Sequence, residues 1–174
     1  MGADLRPLTA EDQCQRLERE VSEIVDDEAG STLQDTPLLR SRVAQAMDLA
    51  LRALQVDYNV PVQRQLRYGP NLRFDGFFVK GSSEHMVEVK YCRSRANPIR
   101  LAESAQPLSA GITHYGWREV RIVLAVVFDD PNVDLAAEKR RLLDSLGIIN
   151  AKLELVCNNF ETLADRFGVG SQHA

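Results

Sequence analysis

The 174-residue chain predicts a mixed α/β domain: a central sheet flanked by helices, with one extra helix at the N-terminal side. Three observations predict it. Residues 60–92 alternate apolar and polar around two strong turn signals, Gly69-Pro70-Asn71 and Lys80-Gly81-Ser82-Ser83. Val120–Phe128 (VRIVLAVVF) is nearly all apolar and rich in β-branched residues, as a strand covered on both faces should be. Before and after these strands, apolar residues recur at helical spacing.

Taken in order, residues 10–29 read as an acidic helix that ends at Gly30, with Thr9 as its N-cap and Asp12 three residues on. Cys14, Leu17, Val21 and Ile24 form a short seam at spacings of three and four, which suits a helix lying on its own domain better than a coiled coil. Gly30-Ser31-Thr32 reads as a linker, dividing the chain into an N-terminal helix and linker (1–34) and a main domain (35–174). A second helix is predicted over 37–54, capped by Asp35 or Thr36, with Leu39, Val43, Ala46, Met47, Ala50, Leu51 and Leu54 on one face. Strands follow at 60–68, 72–79 and 85–92. Asn97-Pro98 opens a helix reaching toward Gly111 or Gly116, bent or interrupted at Pro107. After the apolar strand, Asp129-Asp130-Pro131-Asn132 is a turn, 133–146 a helix closed by Gly147, 152–157 a strand and 161–167 a last helix.

Composition excludes several classes of protein. No apolar run approaches the roughly 20 residues that span a bilayer, so no membrane segment is predicted. Cys14, Cys92 and Cys157 are odd in number and widely spaced, which fits free thiols in a reducing cytoplasm and argues against a cysteine zinc site. A net charge of −4 is wrong for a non-specific nucleic-acid coat protein. The charge is segregated, however. Acids crowd residues 11–28, whereas Arg64, Arg67, Arg73, Lys80, Lys90, Arg93, Arg95 and Arg100 outnumber the acids around them.

The most informative stretch is the hairpin over 72–91. Gly81-Ser82 is the signature of a two-residue type II′ turn, which pairs Lys80 with Ser83 and sets the register by counting. Phe78 then faces His85, Gly76 faces Val87, Phe74 faces Val89 and Asp75 faces Glu88. Lys90, two residues beyond Glu88, shares their face, while Phe74, Phe78, Val87 and Val89 form an apolar one. Opposed carboxylates on a largely apolar hairpin repel each other unless a cation lies between them. Hard carboxylate oxygens suit Mg²⁺ or Mn²⁺, and a lysine beside them would stabilise negative charge during attack on a phosphodiester.

Asp75, a gap of twelve residues, then Glu88-Val89-Lys90 on the next strand resembles the PD-(D/E)XK nuclease superfamily, which includes restriction endonucleases and Holliday-junction resolvases. The predicted element order over roughly residues 37–130 is similar to that family's core. Phe74 stands where the motif's proline would be. The resemblance implies a restriction-endonuclease-like fold and a Mg²⁺- or Mn²⁺-dependent endonuclease. Asp75 and Glu88 would be metal ligands joined by the carbonyl of Val89, and Lys90 the catalytic lysine. DNA, rather than RNA, is the substrate it implies, in repair, recombination or anti-phage defence. Arg73, Arg93 and Arg95, with Arg100, are the candidate phosphate contacts. The N-terminal helix is available for homodimerisation or for a partner module.

The rival expectation is a catalytically inactive module of the same fold, used for nucleic-acid binding or protein assembly. Among further candidates, Asp48 reads as a surface partner of Arg52. Gln106 lacks the tyrosine of a QxxxY signature, and Asp129-Asp130 reads as a turn and cap. His85, His114 and His173 share no metal-ligand spacing.

Overall fold

The computed structural model describes residues 1–27, 36–146 and 152–169. The helix end at Gly30, the linker, the Asp35 cap and the Gly147 stop lie outside these residues. Within them the order is β1 (Arg6–Pro7), α1 (Ala10–Asp27), α2 (Thr36–Tyr58), β2 (Gln63–Tyr68), β3 (Leu72–Lys80), β4 (Ser83–Cys92), α3 (Pro98–Tyr115), β5 (Val120–Phe128), α4 (Leu135–Leu146), β6 (Leu153–Asn159) and α5 (Phe160–Arg166). The fold is α/β, with the six strands ordered β1-β2-β3-β4-β5-β6 in one mixed sheet. The first four strands pair antiparallel, and β4, β5 and β6 run parallel. Each parallel step crosses over through a helix, as a parallel connection requires. No helix among the described residues is long and apolar enough to cross a membrane.

Local chemistry explains most boundaries. The Asp12 N–H donates to Thr9 Oγ1 at 3.1 Å, so Thr9 caps α1 as its type predicts. Asn97 caps α3 by accepting from the Ile99 N–H, and Gly116 closes it in the left-handed region at φ +67°. The helix is continuous through Pro107. Gly81 has φ +62° while Ser82 stays out of the left-handed region, the signature of the type II′ turn.

Three expectations need correction. Helix α2 runs on to Tyr58, whose ring packs 4.8 Å from that of Phe78, and it stops where Asn59 turns left-handed. Strand β2 therefore starts at Gln63 rather than 60, because the N–H groups of Val60 and Val62 are spent on the backbone and side-chain oxygens of Gln55. The sheet also has one strand more than predicted. Two residues with a proline are too few to show period-two alternation, yet Arg6 and Pro7 pair with Arg67 and Leu66 at the sheet edge, where a proline is tolerated.

One face of the sheet carries Phe78, Val87, Val89, Tyr91, Val123, Ala125 and Val127 under α2 and α5. The other meets α3 and α4 through two clusters, one around Phe74, Phe77, Met86 and Leu108 and one around Leu124, Val126, Phe128 and Leu142. The seam of α1 behaves as an amphipathic helix on its own chain: Val21 and Ile24 are buried in the α2 cluster, with Leu17 against it.

Candidate metal centre

The predicted hairpin register holds from Lys80↔Ser83 through Phe78↔His85 to Gly76↔Val87. There the ladder stops. On the other side of β3, Arg64 pairs with Gly76 and Leu66 with Phe74, but Gln65, the residue between them, has φ +53°. Its carbonyl accepts instead from the Leu8 N–H of the β1 segment. In place of a ladder bond, Asp75 Oδ2 accepts the Val89 N–H at 2.8 Å. The strand twists across Asp75. Phe74 consequently lies with Phe77 and Met86, and not with Phe78, Val87 and Val89 as strict alternation requires. The expected direct pairs Asp75–Glu88 and Phe74–Val89 are absent from the ladder for the same reason.

The carboxylates nevertheless meet. Asp75 and Glu88 are both buried, at 2% and 5% exposure. A single nitrogen, Nη2 of Arg16, donates to Asp75 Oδ1 and to Glu88 Oε1, each at 3.0 Å. Lys90 Nζ donates to Glu20 Oε2 at 2.7 Å. The tight packing of α2 over this hairpin explains Gly76: a Cβ there would stand 2.8 Å from Leu51 Cδ2. Residues from five elements converge on a pocket of about 170 Å³ whose wall includes Arg16, Glu20, Arg73, Asp75, Glu88 and Lys90.

Burial, and then the charge of Asp75, push the Glu88 carboxyl up to about 8 against the pull of Arg16 and Lys90. Burial likewise raises the Glu20 carboxyl, opposed by Lys90. For Arg16 and Lys90 burial works downward, but the neighbouring acids outweigh it and both cations are held more firmly charged than usual. The centre thus gathers three acids and two bases, and Glu88 is the group that can carry the extra proton.

Asp75, Glu88, Val89 and Lys90 come together as predicted, and Arg73 borders the same pocket. Arg93 and Arg95 do not; they line an adjoining cavity of about 520 Å³ beyond the end of β4, which Lys90 and Arg100 share. Asp48 is bound outside the pocket by Arg52 and Arg64. Gln106 is exposed on α3, whose contribution to the pocket comes from Glu103, Ser104, Pro107 and Leu108 instead. His85 is buried in a stack on Phe78.

Sequence reasoning missed Arg16 and Glu20. Both belong to a polar row on α1, Asp12, Arg16, Glu20, Glu23 and Asp27, at spacings of four, four, three and four. That row borders the apolar seam, and its period was the available signal.

Among the described residues, no group of three or more His, Cys, Asp or Glu side chains is arranged to hold a metal ion. The donor set is two carboxylates. Mg²⁺ accepts such a set, because it keeps several waters and takes one or two carboxylates plus substrate phosphate oxygens. Asp75 Oδ1 and Glu88 Oε1, two of the oxygens that would serve, are engaged by Arg16, so a metal would have to compete with the guanidinium for them. No protein-family model matches the sequence, and no curated protein does.

Proposed function

We propose that the chain is a restriction-endonuclease-like, Mg²⁺- or Mn²⁺-dependent endonuclease that hydrolyses DNA phosphodiester bonds. The observation that carries this reading is the shared grip of two buried carboxylates on one cation, beside a half-buried lysine. The strand order supports it: an antiparallel β2-β3-β4 meander, a helix, then a parallel strand, with the acids on the β3–β4 pair.

Asp75 and Glu88 would hold the metal, with the Val89 carbonyl completing the protein ligands. A bound divalent ion supplies Lewis acidity toward a phosphate oxygen and acidifies a coordinated water. The chain's own residues do the rest. Glu88 would release its proton to solvent before serving as a ligand. Asp75 is oriented by the Val89 N–H, leaving Oδ1 for the cation. Lys90 leaves Glu20 and places its ammonium beside the phosphate, where charge builds as the bond breaks. Arg16 withdraws from the seat.

A second reading draws on one specific observation. Arg16 already satisfies both carboxylates, so the centre stands without a metal, as it would in an inactive module of this fold that binds nucleic acid or assembles with protein. Cleavage separates the two. With Mg²⁺ or Mn²⁺, the full chain should cut plasmid or oligonucleotide DNA, and excess EDTA, Asp75→Ala or Lys90→Ala should reduce the rate at least about a hundredfold with the fold retained. Full activity in EDTA or in Lys90→Ala would reject the mechanism. Binding without cutting under either metal would favour the inactive module.

A further inference from the structure

The acids of α1 do not face water at random. Asp12 lies 3.7 Å from Arg73, Glu20 lies 2.7 Å from Lys90, and Arg100 is reached by Asp27 at 2.5 Å and by Glu23 at 4.0 Å. Arg16, from the same row, sits between Asp75 and Glu88. The row from Asp12 to Asp27 covers about 22 Å of helix, at about 1.5 Å per residue. That is about six base steps of one duplex strand. Carboxylates therefore stand against three cations that border the centre, and a cation stands in the seat between the two acids.

We infer that Arg73, Lys90 and Arg100 form a phosphate track across the candidate centre, and that α1 is its resident competitor. The helix presents carboxylates in place of backbone phosphates and a guanidinium in place of the metal. DNA engages the centre by displacing it. The inference rests on the nuclease reading for the identity of the ligand.

The attachment of α1 suits a displaceable element. Its apolar contribution to the core is Val21 and Ile24 with Leu17 alongside, whereas the rest is a row of ion pairs. Pairs at the surface are worth little individually and are screened by salt. Two points of the row are better shielded: the Glu20–Lys90 pair, with side chains 12% and 15% exposed, and Arg16 against the buried Asp75 and Glu88. A polyanion offers the same cations several charges at once and releases counterions as it binds.

The test uses the full chain and its Glu23→Gln/Asp27→Asn variant, which neutralises the two acids on Arg100 and keeps Arg16, Glu20, Asp75, Glu88 and Lys90 in place. Affinity for a labelled 20-base-pair DNA duplex is measured by fluorescence anisotropy in EDTA over a series of salt concentrations. The variant should bind about fivefold tighter with a steeper salt dependence, and adding Arg100→Ala should remove the gain. Hydrogen exchange of the α1 amides in the wild-type chain should rise when DNA is added. This second arm decides the matter if the variant fails to fold. Unchanged or weaker binding by a folded variant, or α1 amides that stay equally protected at saturating DNA, would overturn the inference. Metal-dependent cleavage with α1 undisturbed would sink the competitor and leave the nuclease standing. Displacement of α1 without cleavage under either metal would do the reverse.

Discussion

The chain places acidic pairs at two points of its central sheet, and they lead different lives. Asp75 and Glu88 lie on β3 and β4 under α1 and α3, buried and bound to one guanidinium. Asp129 and Asp130 follow β5, half-buried. There Asp129 accepts from Arg42 Nε at 2.9 Å, and Asp130 Oδ1 accepts the Asn132 N–H at 2.9 Å to shape the turn. The Asp130 carbonyl is taken by Asn159. The second pair reads from its sequence as a turn and cap, and the structure gives it that place. Burial and convergence make the first pair the chemical one. A half-exposed carboxylate is stabilised by solvent and local hydrogen bonds, whereas two that share a buried site need a cation or a shared proton.

The contrast is sharpest in activity. Asp75→Asn should lower metal-dependent cleavage at least about a hundredfold. Asp129→Asn combined with Asp130→Asn should stay within about twofold of wild type, at a modest cost in stability. Equal losses at the two sites, measured as initial rates on the same duplex, would break the distinction.

A smaller effect is expected in the pH dependence of stability. Glu88 titrates near 4.5 when unfolded and at about 8 when folded. Between those values the folded chain holds more proton than the unfolded one, so stability falls as pH rises through that window and levels off above it. Glu20, raised by the same burial, acts in the same direction. Thermal unfolding from pH 5 to 8.5 should show a progressive loss of stability that Glu88→Gln reduces. A Glu88→Gln protein with the wild-type slope would show that Glu88 ionises freely.

Much of the framework was legible because single residues announce it. Gly81 marks the hairpin turn and hence the register, Asn97 and Gly116 bracket α3, and the β-branched run of 120–128 can only be a covered strand. Asp75, Glu88 and Lys90 were legible for the same reason: counting from one turn brings them together. The twist at Asp75 was not. It depends on Gln65 turning its carbonyl toward the segment before α1, an interaction with a partner 57 residues away in sequence that no local period encodes. Nor were Arg16 and Glu20 legible as site residues. A polar row beside an apolar seam normally means solvent, and only the fold reveals that this row faces a lysine, two arginines and two buried acids.

The claim that Asp75 and Glu88 form a cation seat contested by Arg16 has a direct measurement. Free Mn²⁺ is followed by electron paramagnetic resonance at pH 8.5, where Glu88 of the wild-type chain is mostly ionised, as the wild-type and Arg16→Ala proteins are added. Arg16→Ala should take up one Mn²⁺ at least about tenfold more tightly than wild type, and adding Asp75→Asn should abolish the uptake. A folded Arg16→Ala protein that binds Mn²⁺ no better than wild type, or binds it equally well without the Asp75 carboxylate, would contradict the account.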